Sequence, residues 1–496
     1  MFYVPHVIAR RLSLGVVLRP QPAAWAARAV AQLAEVADVV SLQPGGGRAP
    51  VTAAAPVARL VDRVLTGERS TASRPAAATA WPARDDGRDL DVVVDLAGDG
   101  THAPSRAAAG TLVLAIDGRR GHELGPCRDV CVRRSLELRL PDGAWVFAGE
   151  ALQRRDPVSR ARTLDAALWS SPGLLLAAIA RLARDGTLEA AHPSATSVAA
   201  NRPLAVEVLR HAWRRSTSAS ARERWHLVVR RPTPTGLTAV SAAEAAAAVA
   251  PVGRSWADPF LTVLEGREHV LFEDAPAGGR GRIAVAAVGA EGLLGPARTV
   301  LERPYHLSYP FVTRREHRTF LVPESGENQT VDLYELVGSP PRAVLRANLL
   351  EGLTALDPTI VRAGGRLRLF VFVVTDGRTA GELRLFSADA LEGPWEPHPR
   401  NPVGTDARTA RPAGGFLEVD GRLLRPAQSA IPLYGAHVTL QEVLRVSDAD
   451  YAERPFATLC GSGLLGQHHL DRLGDVEVLD VLRRDPLLRR PRRWRS

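Results

Sequence analysis

The sequence of 496 residues contains no lysine, so all 63 of its Lys+Arg residues are arginine. The formal net charge of +9 accompanies abundant alanine, glycine and proline, which is typical of a composition bias of the genome. The arginines are scattered apart from the end of the chain, "RRDPLLRRPRRWRS". Because a phosphate-binding surface concentrates its cations in one patch, we expect no nucleic-acid partner. We interpret residues 484–496 as a solvated basic tail.

Cysteine is almost as scarce, with Cys127, Cys131 and Cys460 only. An odd and sparse set argues against a disulfide framework and favours a reducing compartment. The spacing of Cys127 and Cys131 has no second pair, so it predicts no zinc site. The sequence shows no basic leader followed by a long apolar stretch, and no apolar run approaches the roughly 18 residues that a membrane span requires. These absences predict a cytoplasmic protein without a membrane span.

The first half of the chain alternates strand-like and helix-like segments. The strand candidates include "LSLGVVLR", "LDVVVDLAGDG" and "TLVLAIDG", and the helical ones "AAWAARAVAQLAEV" and "APVARLVDRVLTG". This alternation predicts a parallel sheet covered on both faces. Asp95, Asp99 and Asp117 follow strands, where ligands bind in such sheets, but aspartates there equally serve as turn or cap residues.

A strand pair ending in "GAWVFAGEALQRRD" precedes a long helical segment, "SRARTLDAALWSSPGLLLAAIARLARDG". Over residues 12–190 this order resembles the N-terminal domain of formyltransferases, which implies a Rossmann-like α/β fold. Those enzymes need an Asn, His and Asp set, and "GTLVLAIDGRRG" offers only Asp117. Formyl transfer to a nucleotide sugar is therefore disfavoured. We interpret residues 1–190 as a degenerate formyltransferase-like domain, followed by a helical connector at 191–223.

The second half repeats itself about every fifty residues, the period of a propeller blade. Each of the segments "WADPFLTV", "LSYPFVTR", "LDPTIVRA" and "ARPAGGFL" has a proline, preceded by Asp258, Tyr309, Asp357 and Arg411 respectively. Further strand candidates follow each of them. A fifth repeat begins near His469, and the isolated strand "RWHLVVRR" would complete it from the other end. The sequence thus predicts a multidomain protein with an all-β five-bladed propeller at residues 224–483.

The prolines suggest where a site lies. Proline is tolerated at the first residue of a strand, and the first strand of each blade lines the central channel. The residues before the prolines, together with His469, would then converge at the channel mouth. The alternative is that Asp-Pro and Tyr-Pro are turn signals only.

The motifs "WADPF" and "DPTI" resemble those of five-bladed arabinanase- and xylosidase-type glycoside hydrolases. The resemblance implies Asp258 as general base and Asp357 as the residue that tunes the acid. In that family a glutamate that opens blade four is the acid. Arg411 stands there in this chain and cannot donate a proton at neutral pH. Glu324, in "FLVPESGENQ", is the nearest substitute.

A longer resemblance rests on a set of motifs in order: "WADPF", "HLSYPFV", "PES", "LDPTI", "GELRLFSADALEGPWEPHPRNPV", "DARTARPAG", "RPAQ", "YGAHV" and "HHL". They resemble the N-terminal propeller domain of glucosamine inositolphosphorylceramide transferases, and bacterial proteins that join a formyltransferase-like domain to that propeller. In the plant transferases a separate glycosyltransferase domain follows the propeller. The resemblance therefore implies a carbohydrate-related role but not glucosamine transfer to a lipid.

Polar residues cluster in and near blade four, namely Arg408, Arg411, Arg425, Gln428, Tyr434 and His437. Arginines beside channel aspartates suit an anionic ligand such as a uronic acid, a sialic-type sugar or a sugar phosphate. They could equally pair with the aspartates and rigidify the funnel. His468 and His469 are adjacent, and neighbours on a strand point to opposite faces, so we predict no metal ligand set. A divalent ion in the channel stays open.

These observations lead to one hypothesis and two alternatives. The leading function is a carbohydrate-active protein of surface-glycan or glycoconjugate metabolism, with glycosidase- or glycosyltransferase-type chemistry on a glycan or sugar-phosphate ligand. The alternatives are a non-catalytic glycan-binding or scaffolding protein and, disfavoured, a sugar N-formyltransferase. The candidate catalytic residues are Asp258, Asp357 and Glu324, and the candidate substrate-binding residues are Tyr309, His306, Arg408, Arg411, Arg425, Gln428, His437 and His469.

Overall fold

The computed structural model describes residues 11–19, 21–42, 71–72, 74–76, 82, 85, 87–98, 107–120, 124, 130–156, 159–188, 223–231, 237–289, 292–376, 380–461 and 463–484. Asp99, Cys127, the predicted helix "APVARLVDRVLTG", the basic tail beyond residue 484 and nearly all of the predicted connector lie outside these residues. Within the described chain, Cys131 is buried and Cys460 is exposed.

The N-terminal domain contains seven strands and three helices in its described part. The strands are β1 (Ser13–Val17), β2 (Asp38–Leu42), β3 (Val92–Asp95), β4 (Thr111–Ile116), β5 (Arg119–Arg120), β6 (Cys131–Arg139) and β7 (Trp145–Arg154). The helices are α1 (Ala24–Val36), α2 (Arg160–Trp169) and α3 (Ser171–Asp185).

The sheet is mixed, with strand order β2-β1-β3-β4-β6-β7 and β5 beside β4. Strands β1 to β4 are parallel, whereas β6 runs antiparallel to both β4 and β7. The expectation of a wholly parallel sheet is therefore wrong for this edge. A parallel pair needs a crossover of a dozen or more residues, and the short turn around Gly143 between β6 and β7 allows only a hairpin.

Helices α2 and α3 form the long helical segment that the sequence predicts, separated at Ser170, with Pro172 in the first turn of α3 where proline is tolerated. Together with α1 they pack on one face of the sheet through a core that includes Leu14, Leu114 and Ile179. Among the described residues, 160–185 is the one helical stretch long and apolar enough for a membrane span, and 72% of its most apolar window is buried inside the protein.

The propeller has five sheets. Blade one contains β9 (Arg254–Leu264), β10 (Arg267–Pro276), β11 (Arg282–Ala287) and β12 (Arg298–Leu301), and blade two β13 (Ser308–Arg315), β14 (Arg318–Ser325), β15 (Thr330–Val337) and β16 (Arg342–Glu351). Blade three contains β17 (Ala355–Ala363), β18 (Arg366–Val374), β19 (Gly381–Ala388) and β20 (Glu396–Pro397). Blade four contains β21 (Arg411–Pro412), β22 (Leu417–Val419), β23 (Arg422–Ser429), β24 (His437–Val446) and β25 (Tyr451–Leu459).

Blade five closes the ring with strands from both sides of the sequence. It contains β26 (Leu470–Leu473), β27 (Val476–Arg484) and, as its third strand, β8 (Glu223–Arg230), which precedes blade one. Strand β8 pairs with β27 along its whole length. A short helix, α4 (Ala242–Ala247), lies between β8 and blade one. The predicted five-bladed propeller and its closure by "RWHLVVRR" are confirmed.

The residues before the prolines lie on irregular stretches of the innermost strands. Asp258, Tyr309 and Asp357 have φ angles of 52°, 42° and 52°, a region that residues with side chains rarely adopt. In each of these three blades the pairing of the first and second strands shifts at this point. Such a bulge re-aims side chains and backbone amides. The proline motif therefore marks a bulge in three consecutive blades, and each bulge directs side chains or backbone amides toward the channel.

Blade four instead interrupts its inner strand at Gly414, and we predict that this glycine is essential to ring closure. Gly414 has a φ of 129°, and a Cβ there would lie 1.8 Å from the carbonyl oxygen of Leu470 in blade five. We expect Gly414→Ala to lower the free energy of unfolding by more than Gly421→Ala in urea titrations. Gly421 has open space around it, so its replacement costs only the left-handed conformation, about 1–2 kcal/mol. Equal losses would contradict the close approach of the two blades.

The N-terminal domain docks on blades three and four. The backbone amide of Ala407 donates to the carbonyl of Leu152 at 2.9 Å, and the amide of Leu152 donates to Asp406 at 3.0 Å. The buried Arg134 donates to the carbonyl of Thr405 at 2.6 Å. The end of β7 is thus hydrogen-bonded to the loop that precedes blade four, which joins the two halves into one body.

Candidate active site in the propeller channel

The five inner-strand residues predicted to converge are arranged around the channel as a connected set. The amide of Asp258 donates to Asp480 of blade five at 3.0 Å, and the amide of Tyr309 donates to Asp258 at 3.3 Å. The amide of Asp357 donates to Glu324 of blade two at 3.2 Å. In each case a carboxylate from the preceding blade accepts a hydrogen bond from the backbone amide that the bulge exposes. The strained backbone therefore positions the acidic side chains as a group.

A second ring of residues lies on the neighbouring strands, close to the register of the inner ring. Its members are Glu273, Glu324, Phe372, Gln428 and Asp480. Glu273 faces the residue before Asp258, and Glu324 faces the residue before Tyr309. The two glutamates thus occupy equivalent positions in adjacent blades, and both border the channel acids.

Asp258 is nearly buried, and its carboxyl oxygen Oδ1 lies 3.8 Å from a ring nitrogen of each of His468 and His469. Burial raises the pKa of Asp258 to about 7, against the influence of His468 and with the help of Asp480 and Asp357. A carboxyl group with this pKa changes its charge near neutral pH. It can therefore take up or release a proton under ordinary conditions.

The two glutamates of the second ring favour the protonated form. Burial raises the pKa of Glu324 well above its ordinary value, and the adjacent Asp357 raises it further, through charge and a shared hydrogen bond, against the opposing charge of Arg411. Burial raises the pKa of Glu273 in the same direction, together with the charges of Asp258 and Glu324. Carboxyl groups crowded in a site of low polarity cannot all ionise, so the cluster holds protons at neutral pH.

Asp357 is held by two donors from blade four. Its Oδ2 accepts from Nε of Arg411 and, at 3.1 Å, from Nε2 of Gln428. Nη2 of Arg411 also lies 3.7 Å from Glu324. The guanidinium carbon of Arg411 lies 5.0 Å from the ring centre of Tyr434, which is partly exposed. Arg411 and Gln428 thus fix the orientation of Asp357, and Arg411 joins the acidic cluster to an aromatic wall.

The two adjacent histidines both approach Asp258, so the expectation that they point to opposite faces is wrong. They precede β26 and are not part of a regular strand, which removes the alternation on which that expectation rests. His468 stacks on Trp225 of β8 at 3.7 Å and places Nδ1 2.7 Å from Asp480. Burial lowers its pKa, but Asp480 and Asp258 outweigh burial and the net shift is upward.

Asp258, His468 and Asp480 each offer one ligand atom, and these atoms lie within 4.8 Å of one another. Carboxylate and imidazole groups at this separation could hold a divalent metal ion. The sequence pattern does not group these three residues, because Asp480 lies on the second strand of blade five, outside the proline motifs. Among the described residues they are the candidate ligand set.

Two other predicted binding residues, Tyr309 and His469, make structural contacts. The hydroxyl of Tyr309 is buried, bonded to Thr359 at 2.7 Å and to the backbone of Gly414. His469 is fully buried against Phe260 and Tyr309, and burial lowers its pKa to about 3. The expectation that Tyr309 meets a ligand is wrong, since its side chain fastens blades two, three and four beneath the acidic cluster.

Arg425 also lies outside the cluster, contrary to prediction, because its Nε and Nη2 donate to Glu453 in the outer strand of blade four at 2.8 and 2.7 Å. Arg408 pairs with Asp406 at the junction with the N-terminal domain. His437 opens β24, and burial lowers its pKa.

His306 is close to the second ring. Its Nδ1 accepts from the amide of Gly281 at 2.9 Å, which leaves Nε2 to carry the proton, 3.4 Å from Glu273. Glu273 is absent from the sequence predictions, although it stands in "EHVLFED" 51 residues before Glu324 of "RTFLVPE", the spacing that also separates Asp258 from Tyr309. Aligning the second strands of the repeats would have revealed it.

A cavity of about 470 Å³ adjoins the cluster and is bordered by Arg411, Phe372 and Tyr434 on the propeller side. The N-terminal domain forms its other side. Arg411, which is bonded to Asp357, thus lies between the acidic cluster and a chamber that the two domains share.

Residues 231–463 match the family model described as glucosamine inositolphosphorylceramide transferase 1, N-terminal. The proteins named glucosamine inositolphosphorylceramide transferase 1 of rice (Oryza sativa subsp. japonica) and of Arabidopsis thaliana are 29% and 28% identical over 208 and 206 residues. Each alignment covers 40% of this chain, but only 27% of the rice protein and 26% of the Arabidopsis protein.

Solved structures with low overall superposition include Zg3597, a family 117 glycoside hydrolase of Zobellia galactanivorans, with a TM-score of 0.35 and 11% identity over 53% of this chain and 91% of that one. The α-L-arabinanase of Cellvibrio cellulosa has a TM-score of 0.31 and 14% identity over 40% of this chain and 76% of that one. The propeller of this chain is similar in sequence to the N-terminal region of glucosamine inositolphosphorylceramide transferases, and the chain spans about a quarter of the length of these relatives.

Proposed function

We propose that the propeller channel binds an anionic sugar and catalyses acid–base chemistry at a glycosidic bond, of the glycosidase or glycosyltransferase type. The observation that carries this proposal is the gathering of Asp258, Glu324 and Asp357 in one cluster, where the pKa values of Asp258 and Glu324 are raised. Glycoside cleavage needs one carboxylate to activate the nucleophile and one carboxylic acid to protonate the leaving oxygen. Asp258 takes the first role and Glu324 the second, while Asp357 keeps Glu324 protonated.

The preference for an anionic sugar rests on Arg411. Its guanidinium lies at the boundary between the acidic cluster and the cavity, next to Tyr434. An arginine fork recognises a carboxylate or a phosphate through paired hydrogen bonds, and an aromatic ring offers a surface for a sugar face. A uronic acid or a sugar phosphate combines both features.

A binding function without turnover is the second candidate, and the Arg411–Asp357 pair favours it. The arginine stands where related hydrolases would place their acid, and it is held by Asp357. Because a buried ion pair also makes a rigid wall, the same residues could serve a glycan-binding protein.

The test is a glycan array incubated with the wild-type chain at pH 5.5 and pH 7.5, with analysis of both retained protein and released sugar. Asp258→Asn is the matched variant, since it keeps the size of the side chain and removes the base. We expect release by the wild type and a loss of about 10²–10⁴-fold in the variant, the usual contribution of a general base. Binding by both proteins without release would support the second candidate, and no binding by either would contradict both.

For the first half of the chain, we infer a formyltransferase-like scaffold that does not catalyse formyl transfer. Asp117 supports this inference, because it pairs with Arg155 and accepts from the amide of Arg133 at 3.0 Å, the contacts of a structural aspartate. A bacterial source, a cytoplasmic location, and the lack of nucleic-acid partners and membrane spans stay predictions. The burial of residues 160–185 supports the last of these.

A further inference from the structure

The chamber beside the acidic cluster has a wall that the propeller does not supply. Gln153 and Arg154, at the end of β7, and Arg162, in the first turn of α2, border it opposite Arg411. This wall is fixed in place, because Leu152 is hydrogen-bonded through both its amide and its carbonyl to the loop at 406–407. The N-terminal domain therefore contributes fixed side chains to the approach to the site.

The charge of this wall favours an anion. Of the two acidic side chains that border the chamber, Asp156 accepts from the amide of Ser159 at 2.7 Å and Asp376 from the amide of Ala380 at 3.0 Å. Both carboxylates thus stabilise their own loops. Arg162 lies 3.8 Å from Asp156 and keeps 39% of its side chain exposed, so a ligand in the chamber can reach this side chain.

The first turn of α2 adds to the positive potential, since its cap Ser159 accepts from the amide of Arg162 and the helix dipole places partial positive charge there. On the opposite side of the chamber, the rings of Phe372 and Tyr434 flank Arg411 at 5.8 and 5.0 Å. The chamber thus pairs a cationic wall from one domain with an aromatic and cationic wall from the other.

We infer that Arg154 and Arg162 form an anion subsite that recognises the phosphate or carboxylate of the sugar ligand, while the propeller holds the sugar ring. This inference rests on the proposed function and assigns specificity for the charged group to the N-terminal domain. This role would explain why the domain is joined to the propeller although it lacks the Asn and His of the formyltransferase set. It acts as a wall of the propeller site.

The test is calorimetric titration of the full chain with glucose 1-phosphate, glucuronic acid and glucose as three probes. We expect wild-type protein to bind one or both charged probes more tightly than glucose. Arg162→Gln and Arg154→Gln should each weaken that binding about tenfold, the effect of losing a charge-assisted hydrogen bond, without changing glucose binding. Arg119→Gln, an exposed position on β5 of the same domain, is the matched control and should leave all three affinities unchanged.

The results separate the two proposals. Unchanged affinity for the charged probes in both variants, with unchanged melting temperatures, would overturn the subsite and leave the channel chemistry standing. Weakened charged-probe binding together with full turnover by Asp258→Asn would support the subsite and overturn the assigned base. A larger loss for glucuronic acid would identify a carboxylate ligand, and a larger loss for glucose 1-phosphate a phosphate. Failure of every probe to bind the wild type would overturn the subsite.

Discussion

Glu324→Gln is expected to lower kcat by about 10²–10⁴-fold on a glycan from which the wild-type protein releases sugar. This is the range for loss of a general acid. The glutamine can still accept the amide hydrogen of Asp357, so the bulge beneath it should persist. What the substitution removes is the proton that burial and Asp357 hold on the carboxyl group. The measurement is a single-turnover rate across pH.

The pH profile should distinguish acid from base. Asp258 must be ionised to act as a base, and its pKa of about 7 predicts activity that rises with pH through neutrality. Glu324 must be protonated, so activity should fall again above its raised pKa. The wild type is therefore expected to give a bell-shaped profile, and Glu324→Gln to lose the descending limb.

Glu273→Gln is the matched control for this experiment, because Glu273 occupies the equivalent register position in blade one and its pKa is raised by the same kind of burial. We expect it to lower kcat less than tenfold. A greater loss in Glu273→Gln than in Glu324→Gln would contradict the assignment and transfer the acid role to Glu273. Equal, small losses in both would favour the binding function.

Arg425→Ala is expected to lower the free energy of unfolding by about 3–5 kcal/mol, the cost of leaving one partner of a buried ion pair alone. The Arg425 side chain is 1% exposed and makes a two-pronged pair with Glu453. Its Nη2 also donates to the carbonyl of Thr409 at 2.8 Å. The loss should appear in urea titrations as a lower midpoint, and sugar affinity should be unchanged in the protein that remains folded.

Arg422→Ala controls for the loss of an arginine from the same strand. Arg422 is about half exposed and lies 3.9 Å from Glu442, so its removal should cost less than about 1 kcal/mol. Adding Glu453→Gln to Arg425→Ala should recover part of the stability, because the unpaired charge is then removed. Loss of sugar binding without loss of stability in Arg425→Ala would instead place this arginine in the site.

The repeat of proline motifs was enough to predict the propeller, because the bulges of three consecutive blades each leave the same mark in the sequence, about fifty residues apart. The same motifs predicted that Asp258, Asp357 and Arg411 lie near one another at the channel, where Arg411 is bonded to Asp357. Tyr309 was misjudged because the same motif places a backbone amide at the channel while its side chain packs beneath it. Glu273 and Asp480 were missed because they lie on second strands, outside the proline motifs of the first strands.

The chamber could not be predicted from either half alone. Its walls meet only because β7 is hydrogen-bonded to the loop before blade four, and such a contact between distant segments has no local pattern. The position of His468 could not be predicted either, because it depends on stacking against Trp225, which is distant in the sequence although both belong to blade five.

Closure of blade five by β8 has a consequence for any attempt to excise the propeller. The region that matches the family model, residues 231–463, omits β8 and both other strands of blade five. A fragment cut at those limits would be an open arc of four blades, with unpaired faces at both ends where blade five packs in the whole protein. It would also lack His468 and Asp480, the neighbours of Asp258. Exposed sheet surfaces of this kind promote self-association, so the boundaries of sequence similarity are narrower than those of the folding unit.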